Sequence, residues 1–426
     1  MEKLEYPQVQ ETIYYERMDN GLDVYVLPKP GFQKTYATFA TKYGSVDNHF
    51  RVEGKEEIKV PDGIAHFLEH KMFEEPEGDV FASFAQQGAS ANAFTTFDRT
   101  VYLFSATSHI EENLTTLINF VQRAYYTEES INKEKGIIAQ EINMYRDNAD
   151  WRVYFGLIEA MYQRYPIYID IAGTVDSIQT ITKETLDECY NTFYHPSNMM
   201  LFVVGGVEAE SIMQLVRDNQ AAKAYKPQGH IERFFDEEPE EVRQAKLVTK
   251  LPVSMPKCLF GCKEKPNGKT GKELLHHELA TSVMMDLMLG SSSPLSQSLY
   301  ESGLMSDNIG HEYNCDPAYA FSIIGGETKD PDELVKTVMA AIDAKKKEGF
   351  SQAAFERIRN KRMGTFLRML NSPEAIAGEF TKYKFRDTDL FDILSVYESL
   401  QLTDIHERLQ SHFNWDRLAV SIVEQP

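Results

Sequence analysis

Cysteine is scarce in this sequence: Cys189, Cys258, Cys262 and Cys315 are the four in 426 residues. No two form a C-x-x-C pair, so Cys258 and Cys262 are not expected to bind metal, and reduced thiols are favoured over a disulfide frame. Long apolar runs are missing too, none reaching the roughly 18 residues of a membrane-spanning helix. Met1-Glu2-Lys3-Leu4-Glu5-Tyr6-Pro7 has neither the basic start nor the apolar core of a secretory leader. A cytoplasmic location with no membrane insertion is therefore expected. Positive charge is also short, with 44 Lys and Arg against 65 Asp and Glu for a formal charge of -21. Lacking a basic stripe, the chain is not expected to bind nucleic acid or an anionic membrane.

What is present suits a globular protein with a sizeable core: 42% of residues are hydrophobic and 26% charged. The length fits two domains of roughly 200 residues each. Apolar alternation and β-branched runs predict strands at 22–28, 35–46, 91–95, 100–105 and 200–206. Helical periodicity predicts helices at 111–124 and 129–146, with a shorter one at 80–87 ended by Gly88. Between Gln220 and Lys246 the chain turns polar, with Pro227, Gly229, Pro239 and the acidic run Asp236-Glu237-Glu238. This stretch is expected to link a domain of residues 1–219 to one of residues 247–426. Beyond it the pattern restarts, and Val175–Thr182 with its helix ending at Phe193 is echoed by Tyr397–Asp404 with its helix ending at Phe413. The echo predicts two similar α+β domains facing each other rather than a solenoid.

The chemistry concentrates in Gly63-Ile64-Ala65-His66-Phe67-Leu68-Glu69-His70-Lys71-Met72. On a helix His66 and His70 project from one face, one turn apart, and can share a metal ion at about 2.0–2.1 Å. Glu69 leans towards the same point, where a carboxylate can take the proton of a metal-bound water. The second half has no counterpart: His276-His277-Glu278 lacks a histidine one turn on and reads as a solvated face. A histidine pair needs one more protein ligand, with a position left open for water. The helix around residues 130–143 offers Glu134 and Glu141, two turns apart on one face with Ile138 between them. Unpaired carboxylates on an inward stripe are costly, and a metal would compensate one of them. On these grounds either glutamate serves.

His66-Phe67-Leu68-Glu69-His70, followed by Gly88-Ala89-Ser90-Ala91-Asn92-Ala93-Phe94-Thr95 and then Glu134 and Glu141, resembles the inverted zincins of the pitrilysin/insulinase (M16) peptidases. Gly173-Thr174-Val175-Asp176-Ser177-Ile178 and Tyr194-His195-Pro196-Ser197-Asn198-Met199 resemble that family's pattern too. The likeness covers roughly residues 20–210 by motif and the remainder by layout, in the manner of half-length bacterial members similar to processing-peptidase subunits. It implies two homologous domains, each a mainly antiparallel sheet with helices, arranged as a clamshell. It also implies a zinc endopeptidase of extended peptides, with Zn2+ on His66, His70 and Glu141 and Glu69 as general base. Glu134 would be a second acidic residue supporting the histidines. Ala91, Asn92, Ala93 and Phe94 would form an edge strand to which the peptide adds.

One departure bears on assembly. Family members that complete their own site carry an arginine and a following tyrosine after a glycine–serine turn, here Gly290-Ser291-Ser292-Ser293. The corresponding positions hold Tyr300 and Ser306. The departure points to a heterodimer with a related subunit that supplies the pair, ranked above a self-dimer, which would lack the pair twice; substitution by other residues is the third expectation. The competing expectation is a non-catalytic peptide-binding or scaffold subunit of the same fold.

Overall fold

The apolar run Met199–Gly205 has no polar face, so it can only be a strand covered on both sides. In the computed structural model, which describes residues 1–76, 78–265 and 268–426, it lies at the centre of a seven-stranded sheet. The order is Glu2–Tyr6, Glu11–Arg17, Asp23–Pro28, Met199–Gly205, Thr35–Thr41, Thr100–Ala106, Ser90–Thr95. Met199–Gly205 runs parallel to Asp23–Pro28, with Met200 opposite Asp23, and antiparallel to Thr35–Thr41, with Met199 opposite Thr41. One face packs Val24, Val26, Ala37, Phe39, Leu201 and Val203 against Leu114, Leu117 and Ile118 of the helix Ile110–Val121.

A second unit repeats the five strands from Asp23–Pro28 to the Ser90–Thr95 edge, in the order Lys246–Lys250, Leu418–Glu424, Lys257–Glu264, Ala320–Glu327, Gly310–Cys315. The pairing repeats as well: parallel between the first two and antiparallel elsewhere. The fold class is α+β, as expected. The first sheet's two extra strands form an N-terminal hairpin that alternation did not reveal, because Glu2-Lys3-Leu4-Glu5-Tyr6 is mostly exposed.

The division at residues 219 and 247 needs correction. One unit comprises Met1–Ile142, Ile169–Phe235 and Met369–Phe385; the other comprises Asn143–Tyr168, Asp236–Arg368 and Arg386–Pro426. Each half of the sequence thus gives one helix to the sheet of the other. Helix Ala149–Met161 lies against Leu418–Glu424 so tightly that a Cβ on Gly156 would stand 2.7 Å from Ser421 Oγ. Helix Pro373–Phe385 covers the second face of the first sheet, where Phe380 stacks on Phe202 at 4.3 Å and meets Tyr25 at 5.1 Å. The apolar faces of these helices find their complement on a sheet distant in sequence, which composition cannot reveal. The solvated face expected at His276-His277-Glu278 also fails in part, since His277 and Glu278 are buried. His277 Nε2 lies 3.1 Å from both Glu264 and the Tyr313 hydroxyl, and those partners make its burial tolerable.

Candidate functional site

The histidine helix runs Ile64–Lys71 and opens on Gly63, whose φ of 86° favours glycine. A Cβ on Gly63 would stand 2.3 Å from the Ala172 carbonyl oxygen, and one on Gly173 would stand 2.5 Å from that of Asp62. Two backbones therefore pass at a distance only glycine allows on both sides. Ser177 Oγ donates to Asp62 O at 2.9 Å and fastens the crossing. Phe67 and Leu68 are fully buried in the core, worth about 1.5–3 kcal/mol each, and their burial fixes the helix rotation. His66 and His70 are left together, ring centroids 4.5 Å apart.

The helix Glu128–Arg146 comes to them from elsewhere in the chain, held by buried Ile131, Ile138 and Ile142. Its two carboxylates part company there. Glu141 faces the Nε2 atoms of both histidines, at 3.8 Å from His66 and 3.7 Å from His70. Glu134 meets the other nitrogen of His70, Nδ1, at 3.1 Å. Of the two glutamates left open by residue chemistry, Glu141 faces the point the histidines share and Glu134 lies behind His70.

Side-chain exposures of 13%, 28% and 20% for His66, His70 and Glu141 leave the group reachable from solvent. Burial, with the neighbouring His70, pushes His66 down to about 3, so its imidazole is neutral with a lone pair to give. For His70 burial pulls downward, but Glu134, Glu69 and Glu141 outweigh it and raise the ring above its ordinary value. Burial pushes Glu134 upward, yet the His70 hydrogen bond and the Lys71 charge leave it below the usual carboxylate range.

Glu69 is buried and raised by that burial, against the opposing pull of a hydrogen bond from Thr95 Oγ1 at 2.6 Å. Thr95 was not among the expected site residues. The strand pairing that sets it opposite Thr100 also turns it to Glu69, and only the pairing register would have pointed to it. Lys71 was missed as well. It is buried, pairs with Glu74, and stands 3.6 Å from Glu134, so it holds that carboxylate ionised from behind.

These residues fit a zinc ion. One ligand atom each from His66, His70 and Glu141 lies within 4.8 Å of the others. Atoms that share an ion at about 2.0–2.1 Å stand roughly 3–4 Å apart, and two imidazoles with one carboxylate are a catalytic zinc donor set. Nδ1 of His66 is buried without a partner among the described residues, so only His70 has its outer nitrogen held.

Ala91, Asn92, Ala93 and Phe94 lie on Ser90–Thr95, the edge of the seven-stranded sheet. Among the described residues this strand pairs with Thr100–Ala106 alone, and Asn92 Oδ1 accepts the Ala93 N–H at 2.9 Å. Tyr300 is 61% exposed on the helix Pro294–Glu301, which Ser293 caps by accepting from Ser296 N.

Residues 55–175 match the model of the insulinase family, peptidase family M16, and residues 180–362 that of the peptidase M16 inactive domain. A Bacillus subtilis protein named as an uncharacterized zinc protease, YmfH, is 53% identical over 98% of this chain and 97% of its own length. A crystal structure described as an M16-like peptidase from Alicyclobacillus acidocaldarius is 41% identical, with a TM-score of 0.95 over 99% of this chain and 100% of that one. The fold extends to a Helicobacter pylori protease at 21% identity and a TM-score of 0.83, covering 97% of this chain and 99% of that one.

Proposed function

The chain belongs to the insulinase (M16) family of peptidases, and from that premise we propose that it is a zinc-dependent endopeptidase acting on extended or unfolded peptides. The observation that carries this reading is the convergence of His66, His70 and Glu141 beside the buried Glu69. In this assignment those three residues hold the zinc, whose Lewis acidity, once it is bound, acidifies a water and polarises the scissile carbonyl. Glu69 takes the proton of the attacking water and delivers it to the leaving nitrogen. Its burial raises its proton affinity, which suits a group that must first accept a proton and then release it. Thr95 aims the Glu69 carboxylate, and Glu134 holds the His70 ring in orientation.

The peptide adds backbone to backbone along Ser90–Thr95. In docking it displaces the Asn92 side chain from the Ala93 N–H, freeing that amide to hold substrate. The arginine and tyrosine absent at Tyr300 and Ser306 come from a related partner subunit in a heterodimer. That absence also favours a second reading, a non-catalytic peptide-binding subunit. Cleavage of an unstructured peptide by the purified chain, with and without partner and chelator, separates the two. For the first reading, Glu69→Gln keeps its zinc while cleavage falls by about 10²–10⁴; undiminished cleavage in that variant contradicts it.

A further inference from the structure

Beside the candidate zinc site, on the Glu134 side, lies a cavity of about 980 Å³ in which His70 and Glu134 form one wall. Phe73 lines it, and so do two large apolar side chains left in solvent, Tyr125 at 37% and Ile137 at 44% exposure. Its border is acidic: Glu74, Glu75, Asp79 and Glu129 join Glu134 against Lys71 and Lys133, a formal charge of -3. Lys71 is already committed to Glu74 and Glu134. Glu75 and Glu129 make no ion pair among the described residues. Among the described residues, the triad His66, His70 and Glu141 alone brings metal-ligand atoms together.

We propose that this cavity receives a lysine or arginine side chain from the residue next to the scissile bond, an inference that rests on the peptidase reading above. The aliphatic stem lies along Phe73, Tyr125 and Ile137, and the charged head reaches Glu75 and Glu129. The Tyr125 ring adds a face that a cation favours. An aspartate or glutamate is repelled by the same border, and a purely apolar side chain leaves its carboxylates without a counter-charge. His70 joins the two sites, its Nε2 facing Glu141 of the candidate zinc site and its ring lining the cavity.

The test uses the full zinc-loaded protein and two unstructured peptides that differ at one position, lysine in one and norleucine in the other. Binding is read by fluorescence anisotropy in the Glu69→Gln background, and cut sites by mass spectrometry with the native residue. The lysine peptide is expected to bind about five- to tenfold tighter, with cuts falling next to lysine or arginine. The ratio should drop towards unity in Glu75→Gln/Glu129→Gln and at high salt. Equal binding and unselective cutting overturn the subsite and leave the peptidase reading intact, as does a preference that survives the double variant. Failure to bind or cut either peptide with the partner subunit present overturns the peptidase reading, and the subsite falls with it.

Discussion

Thr95 and Glu134 touch no metal in this account, yet the two functional side chains beside them depend on both. Thr95→Val removes the 2.6 Å hydrogen bond to Glu69 while keeping the side-chain shape. A hydrogen bond to a charged group is worth about 1.5–3 kcal/mol, so kcat is expected to fall roughly tenfold or more with zinc content unchanged, and Thr95→Ser to restore it. Glu134→Gln should instead weaken zinc affinity by about 10–100-fold, read by competition with a chelator. At this scale the sequence was most legible where the chemistry is local. His66, Glu69 and His70 share one helix, so helical periodicity alone sets them together. Residue chemistry alone could not choose between Glu134 and Glu141, because both lie on one face of a helix and only packing against the histidines separates them, so that choice came from the family resemblance.

Among the elements, the histidine helix is positioned less by its own eight residues than by the backbone crossing at its start. Gly63→Ala would set a methyl 2.3 Å from the Ala172 carbonyl at a positive φ. A loss of about 1–3 kcal/mol in denaturant unfolding is expected, with weakened zinc binding, whereas Gly31→Ala, equally at positive φ but in open space, should lose less. In the second unit Asp286 ties the helix Gly271–Leu289 to Arg362 at 2.6 Å and His311 at 2.9 Å. Burial pushes this carboxyl up, but His311 and Arg362 outweigh it and bring it down to about 2. A group with a lowered native pKa adds stability above its unfolded value of about 3.9 and loses it as pH falls towards the native one. Stability measured between pH 4 and 2 should therefore fall less steeply in Asp286→Asn than in the native protein. The strands Asp23–Pro28, Ser90–Thr95 and Met199–Gly205 were legible because alternation or a continuous apolar run marks a sheet's buried faces. The hairpin Glu2–Arg17 was not, since much of it is exposed.

For the whole molecule, the duplication read from Val175–Thr182 and Tyr397–Asp404 reappears as one five-strand order used twice. What no local pattern announced is the exchange of helices, since helix Ala149–Met161 buries apolar residues as its neighbours do and nothing in it names its sheet. A fragment of residues 1–235 leaves Phe202 and Tyr25 without Phe380 and leaves that helix without its strands. It is expected to aggregate when expressed alone and to be rescued by co-expression of residues 236–426; a soluble, cooperatively unfolding fragment would contradict the exchange.

All of the proposed chemistry depends on three side chains from two helices binding one ion, and metal analysis of the purified chain reaches that claim most directly. One zinc per chain in the native protein and close to none in a folded Glu141→Ala variant is the expected result. A native chain that takes up no zinc, or a Glu141→Ala chain that keeps its full complement, would contradict it.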